Sequence, residues 1–348
     1  MSNKKIQEKP AEEKFNKVVS MKNTKIMSVL EGEYGKYFNE NHGSADPWWY
    51  HRPGFDRSSI REILAMNDTT VPVGCHGFPI TVFFKVKPDK EVGRPPYMHL
   101  DSDEFIGFCC TDPSKPDDLG AEIEFQIEDE IHIITKPCYI YIPKGVTYGP
   151  VFVRKMHRPF IEQHILPDAD FYGNDLNELA GYEAPKGKRM GMNDGVYGKL
   201  IIPGGDGDSG DIIKWWYNTP DFDPTQYKNI ATADAARLPG GARHLNVSFQ
   251  YKLVAEPKGT GHPQNYHTTS DEIIMVFGSD PENPHDLGGE IEMGLGNEMH
   301  LMTKPTILFV PKGMPHGPMW FRKIDKPMIQ SVLLPTASVY ESTEASDD

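Results

Sequence analysis

The chain repeats itself in register, and this constrains its fold more than any other feature. Residues 75–167 lie on 243–335 at a constant offset of 168 without a gap, and 35 of the 93 paired positions are identical. Ser102, Asp103 and Glu104 return as Ser270, Asp271 and Glu272. The stretch from Asp112 to Glu124 returns from Asp280 to Glu292, and the E-x-H-x-x-TKP run from Glu130 returns from Glu298. PKG at 143–145 returns at 311–313. A looser match extends upstream, with YGK at 34–36 against 197–199 and WWY at 48–50 against 215–217. The period is too long for a solenoid unit, so the chain holds two copies of one domain. The predicted organisation is an arm over 1–30, a first domain over 31–170, a connector over 171–192, a second domain over 193–337 and an acidic tail over 338–348.

Within each copy the apolar runs are short. ITVFFKV, YIYIP and FIEQHIL in the first, and VSFQYKLV, ILFVP and MIQSVLL in the second, have the length and the β-branched and aromatic content of strands. Gly, Pro, Asn and Asp punctuate them; Gly 32 and Pro 30 together approach a fifth of the 348 residues. The expected class is all-β, a sandwich or barrel in each copy. Short helices are expected in the arm and in the connector near Asp175–Ala180, and a helical period is otherwise tenable only over Arg57–Asn67.

The formal net charge of −14 argues against nucleic acid and against an anionic membrane surface. No apolar run approaches the length of a membrane span. The charged first residues lack the apolar core of a signal peptide. Cys75, Cys109, Cys110 and Cys138 all fall in the first copy and have no counterparts in the second. A disulfide framework would be expected in both, so they read as reduced thiols of a cytoplasmic protein.

The residues with the chemistry of a site lie in the second copy. His267 and Glu272 flank a tight polar turn, and His316 follows the PKG turn at the start of a strand. Two imidazoles and a carboxylate on rigid strand ends suit a divalent transition metal with positions left open for substrate. Iron, manganese, nickel and zinc all fit such donors.

His-x4-Glu followed by P-x-G-x-x-H resembles the paired motifs of the cupin superfamily, and the duplicated chain resembles a bicupin. The resemblance spans about 31–337 and implies two tandem double-stranded β-helix barrels with a metal inside. It implies His267, Glu272 and His316 as ligands, with Asn265 as a weak fourth at the family's first histidine position. In the first copy that position is Tyr97 and the motif-two histidine is Tyr148, so only His99 and Glu104 remain of the usual set. Glu162 and His164 are two apart and share a strand face. If that face turns inward, Tyr97, His99, Glu104, Tyr148 and His164 build a different polar site; if outward, these charges are surface.

His132 and His300 are equivalent, as are His76 and His244. One reading makes His300 a general acid or base near the metal. The other makes it a core histidine bonded to a neighbouring carboxylate. The acidic stretches lack the ligand spacing of an EF-hand loop and read as turns. GGDGDSG at 204–210 is too acidic to cradle phosphate. Glu124 and Glu292 end their loops on strands from which the interior is within reach.

The expected function is therefore a metal-dependent enzyme acting on a small organic molecule. A non-haem dioxygenase leads and a decarboxylase of organic acids follows, the latter by analogy with known bicupins. Few cations lie near the site (Arg154 and Arg322 follow the second motif), so a single carboxylate or an aromatic suits it better than a phosphate. The alternative is a non-catalytic small-molecule-binding protein. Bicupins resemble fused cupin dimers, which leaves room for homo-oligomers.

Overall fold

The computed structural model describes residues 24–40, 54–67, 70, 72–75, 79–90, 93–167, 184–204, 227–233, 237–238, 245–251, 261–262, 264–337 and 343–344. The helix expected near Asp175–Ala180, both WWY runs, His76, His244 and nearly all of GGDGDSG lie outside the described residues.

Two short strands come first, β1 (Ile26–Ser28) in the arm and β2 (Phe38–Asn39) at the start of the first domain. The first domain holds β3 (Ile60–Met66), β4 (Ile80–Lys85), β5 (Glu104–Cys110), β6 (Ala121–Ile127), β7 (Glu130–Ile134), β8 (Cys138–Ile142), β9 (Tyr148–Met156) and β10 (Phe160–Ile165). Two more short strands follow, β11 (Lys188–Met190) and β12 (Ile201–Pro203). The second domain holds β13 (Tyr227–Ala233), β14 (Leu245–Tyr251), β15 (Gly261–His262), β16 (Asn265–Tyr266), β17 (Glu272–Gly278), β18 (Gly289–Leu295) and β19 (Glu298–Met302). It continues with β20 (Thr306–Val310), β21 (His316–Ile324) and β22 (Met328–Leu334), and β23 (Thr343–Glu344) lies in the acidic tail.

Each barrel is two facing sheets. The first pairs β12-β8-β5-β10-β4-β3 with β11-β7-β6-β9. The second pairs β2-β20-β17-β22-β14-β13 with β1-β19-β18-β21-β16-β23, with β15 also on β21. The two six-stranded orders correspond strand for strand, and β11-β7-β6-β9 corresponds to β1-β19-β18-β21; this is the double-stranded β-helix that the resemblance implies. Arg57–Asn67 is a correction: Arg57–Ser59 makes one turn, capped by Asp56 accepting from the Ser58 N–H at 3.0 Å, and Ile60–Met66 is a strand. A bulge between Glu62 and Leu64 breaks the two-residue alternation. It buries Ile60, Ile63 and Leu64 at a spacing that imitates a helix.

The short leading strands are exchanged. β1 and β2, ahead of the first barrel's own strands, pair with β19 and β20 of the second barrel. β11 and β12, ahead of the second barrel's own strands, pair with β7 and β8 of the first. The pairing thus crosses the boundaries drawn at 31 and 193. The repeated E-x-H motif secures each exchange. Glu298 accepts the N–H groups of Glu33 and Tyr34 at 2.8 and 3.0 Å, and Glu130 those of Val196 and Tyr197 at 2.8 and 2.9 Å. The His300 Nδ1–H points to Ser28 O at 3.3 Å, and that of His132 to Gly191 O at 3.4 Å. Gly32 and Gly195 have φ of 80° and 82°, and a Cβ on either would lie 2.4 Å from the carboxylate of Glu298 or Glu130. Only glycine fits there.

The central strands are buried on both faces. In β17, Ile274 and Val276 face the second barrel's own core, while Ile273, Met275 and Phe277 join a core cluster shared with the first barrel. The seam also holds polar groups: Ser331 Oγ lies 3.1 Å from both Tyr139 Oη and Gln163 Oε1. Near-continuous apolar runs such as EIIMVFG follow from this two-sided burial. The cysteines form no disulfide, and burial pushes the Cys138 thiol well up and that of Cys110 to about 12. No described helix is long and apolar enough to cross a membrane.

Candidate metal centre

The loop before β17 and the turn before β21 meet at one end of the second barrel. Gly313, at φ 81°, donates its N–H to His267 O at 2.7 Å, and the Lys312 N–H donates to Asp271 Oδ1 at 2.7 Å. Lys312 is therefore a turn residue here. These bonds fix motif one against motif two. They place His267 beside Glu272, at the head of β17, and beside His316, at the head of β21. β16 runs next to β21 and sets Asn265 opposite His316.

Glu272 Oε2 lies 2.8 Å from His316 Nε2 and 3.4 Å from His267 Nε2. The two rings stack 5.2 Å apart. All three side chains are buried, and their donor atoms lie within 4.8 Å of one another. Among the described residues this is the one such cluster of three or more potential ligands. His316 Nδ1–H faces Met314 O at 3.2 Å, which turns Nε2 toward the carboxylate.

The donor set fits a metal on three observations. An imidazole nitrogen and a carboxylate oxygen 2.8 Å apart can share a cation between them. Donors bound at roughly 2.1 Å at right angles would be about 3 Å apart, close to the separations found. Asn265 Oδ1 is buried and satisfies no hydrogen bond. Burial pushes the Glu272 carboxyl up, but the charges and hydrogen bonds of His316 and His267 outweigh it and hold it far below the usual range. It is a carboxylate, as a ligand must be.

In the first barrel the predicted face does turn inward. Tyr97, His99, Glu104, Tyr148, Glu162 and His164 are all buried. Tyr97 pairs with Tyr148 as Asn265 does with His316, and their rings lie 4.1 Å apart. His99 Nε2 lies 3.4 Å from Glu104 Oε2, the same spacing as in the second barrel. His164 Nδ1 donates to Glu104 Oε1 at 2.6 Å, and its Nε2 lies 3.2 Å from Glu162 Oε1. Arg94 forms an ion pair with the same Glu162 oxygen. Burial favours the neutral His164 ring, but its bonds to Glu104 and Glu162 raise its pKa. Burial also pushes the Glu104 carboxyl up, and hydrogen bonds from His164 and His99 hold it at about 2. This set does not fit a metal: one tyrosine replaces the motif-two ligand, and Glu104 accepts the His164 Nδ1–H while Arg94 Nη1 lies 2.7 Å from the ring's Nε2. Arg94, overlooked in the sequence, completes the cluster. It precedes the motif by five residues, and only the pairing of its strand segment with Val151 brings it in.

His300 sits elsewhere. Its Nδ1 faces Ser28 O, its Nε2 lies 3.3 Å from Glu298 Oε2, and its ring packs 4.6 Å from that of Phe38. No triad residue is among its partners. Burial lowers its pKa, so the ring is neutral. Arg154 and Arg322 turn outward and pair with Glu124 and Glu292. Those two glutamates thus serve the outer surface. The acidic stretches are turns: Asp112 accepts from the Ser114 N–H and Asp280 from the Glu282 N–H.

No family model and no curated protein matches the chain. Solved structures similar to it include two Bacillus subtilis oxalate decarboxylase variants at 12% identity. Each alignment covers 83% of this chain and 78% of the other, with a TM-score of 0.48. A further structure of that decarboxylase, one concerned with its Mn(II) centres, aligns at 12% identity over the same shares with a TM-score of 0.47.

Proposed function

We propose that the chain is a metal-dependent enzyme that transforms a small organic molecule in its second barrel, foremost as a non-haem dioxygenase-type oxidoreductase. The observation that carries this reading is the convergence of His267, Glu272 and His316 on one buried point. A bound divalent transition metal would supply Lewis acidity and open coordination positions.

The chain's own groups prepare that point. Met314 O accepts the His316 Nδ1–H and orients the ring, Glu272 stays ionised at neutral pH, and Asn265 offers a fourth oxygen. Ile274, Ile291, Met293, Leu308, Met314 and Met319 belong to the core cluster of this barrel and exclude water. Among the described residues the buried cations are Lys85 and Arg94, both in the first barrel. Among the described residues, an anionic substrate would thus find no buried lysine or arginine in the second barrel beside the metal. This favours a small, largely apolar molecule with an oxygen donor over a dianion, and ranks the dioxygenase above the organic-acid decarboxylase.

The test is metal analysis of purified protein, followed by oxygen uptake and carbon dioxide release with catechols, β-diketones and dicarboxylates. The expected outcome is about one iron or manganese per chain and oxygen uptake abolished by His316→Tyr. Carbon dioxide from dicarboxylates without oxygen uptake would transfer the reading to a decarboxylase. Bound metal without turnover would leave a binding protein. No metal after reconstitution would overturn the metalloenzyme reading.

A further inference from the structure

We infer that the C-terminal segment is a strap on the second barrel: it ties down motif one on both sides of His267 and sets how long that centre holds its ion, an inference that rests on the metal centre proposed for that barrel. The chain leaving β22 meets motif one at two places. After His267, the Thr336 N–H donates to Ser270 Oγ at 3.1 Å, and Thr336 Oγ1 donates to Thr269 O at 3.2 Å. Before it, β23 pairs antiparallel with β16, with Glu344 opposite Asn265 and Thr343 opposite Tyr266. The first contact is passed on to motif two. Ser270 is buried, its Oγ donates to Asp271 O at 2.7 Å, and Asp271 Oδ1 accepts the Lys312 N–H. The second contact bears on Asn265 directly.

β16 is two residues long and meets β21 through one pair, Asn265 with His316. So short a strand is marginal with one neighbour, and β23 supplies the second. The first barrel shows the alternative. There Tyr97 is tied to Tyr148 by backbone bonds of 2.8 and 2.9 Å, their rings pack 4.1 Å apart, and Tyr148 stacks on Phe125 at 5.9 Å. Asn265 has no ring to pack, and its buried Oδ1 has no hydrogen-bond partner among the described residues. Backbone pairing with the tail therefore does for Asn265 what ring packing does for Tyr97. Among the described residues the corresponding sheet of the first barrel ends at β9, and no strand is laid outside Tyr97. The strap thus belongs to the barrel that carries the triad. Groups that hold ligands in place from outside the coordination sphere set how firmly a metal is kept.

The test keeps the full chain and changes only the tail, with Thr343→Pro and Glu344→Pro together, which removes both N–H groups of β23. Hydrogen exchange over residues 264–271 and over their counterparts 96–103 is read by mass spectrometry. Loss of pre-loaded Co(II) to excess chelator is followed by its visible absorption. The expected result is about 10-fold faster exchange over 264–271 and about 10-fold faster Co(II) loss, with exchange over 96–103 and the urea midpoint unchanged. Thr343→Val keeps the strand and should behave as wild type. Wild-type exchange over 264–271 in the double-proline chain would overturn the inference, and so would unchanged Co(II) loss. Equal loosening of 96–103 would overturn it too, as the mark of general destabilisation. A wild-type protein that binds no Co(II) defeats the metal reading instead, and the exchange comparison then decides by itself whether the tail holds motif one.

Discussion

The two barrels share a fold, a turn and a motif glutamate, yet differ in what surrounds that glutamate. Glu104 and Glu272 sit at the head of equivalent strands, and each lies 3.4 Å from the preceding histidine. The first is completed by His164, Glu162 and Arg94, and the second by His316 and Asn265. A buried carboxylate must be compensated in either case. The comparison teaches that a duplicated site can meet one electrostatic demand in two ways.

The largest effect expected is on the second barrel. His316→Ala or Glu272→Ala should remove the metal and lower kcat/KM by more than about 100-fold, since the centre has only three strong ligands. Metal analysis and turnover check this. Tyr148→Ala should leave both intact, and equal loss from the two would break the assigned asymmetry.

Next comes the first barrel's cluster. Glu162→Ala leaves Arg94 and His164 without a shared anion and should cost roughly 3–5 kcal/mol in urea unfolding. Glu162→Gln should cost less. A change under about 1 kcal/mol would show that the cluster is solvated rather than buried.

The pH dependence follows from the same pair. Glu104 is depressed to about 2 from 4.5, so roughly 3 kcal/mol of stability is present above the unfolded value and lost as pH falls towards 2. His164 is raised, so its share is complete below about pH 6.5 and fades as pH rises through its folded value. The stability gap between wild type and Glu104→Gln should therefore be widest between about pH 4.5 and 6.5 and close at pH 2. A gap that stays constant from pH 2 to 9 would refute the ionised pair.

The arm latches should behave alike in the two barrels. Glu130→Ala and Glu298→Ala each strand two backbone N–H groups and should cost about 1–3 kcal/mol. His132→Ala and His300→Ala separate the two readings of His300. Similar stability losses with unchanged kcat indicate a latch, whereas a kcat loss unique to His300→Ala restores a role as acid or base. The smallest effect is expected for Arg322→Ala, within about 0.5 kcal/mol and without change in KM, because that group pairs on the outer surface.

Much of this was legible in the sequence. The offset of 168 fixed the duplication, the short apolar runs fixed the strands, and the paired motifs named His267, Glu272 and His316. Glu162 and His164 were recognised as sharing a face, but whether that face pointed inward was open. The strand over Ile60–Met66 was misread because a bulge made its burial imitate a helix. Arg94 was missed because nothing local marks it.

What the sequence alone determined is set by local period and by comparison between its halves: two like domains of strands, and one motif better preserved than the other. The exchange of β1 and β2 for β11 and β12, the E-x-H latch, and the meeting of His164 with Glu104 needed the tertiary structure. These contacts join residues 60 to more than 260 positions apart. Spacing along a chain encodes which side of a strand a residue occupies, but only closure of the barrels decides which residues of other strands it meets.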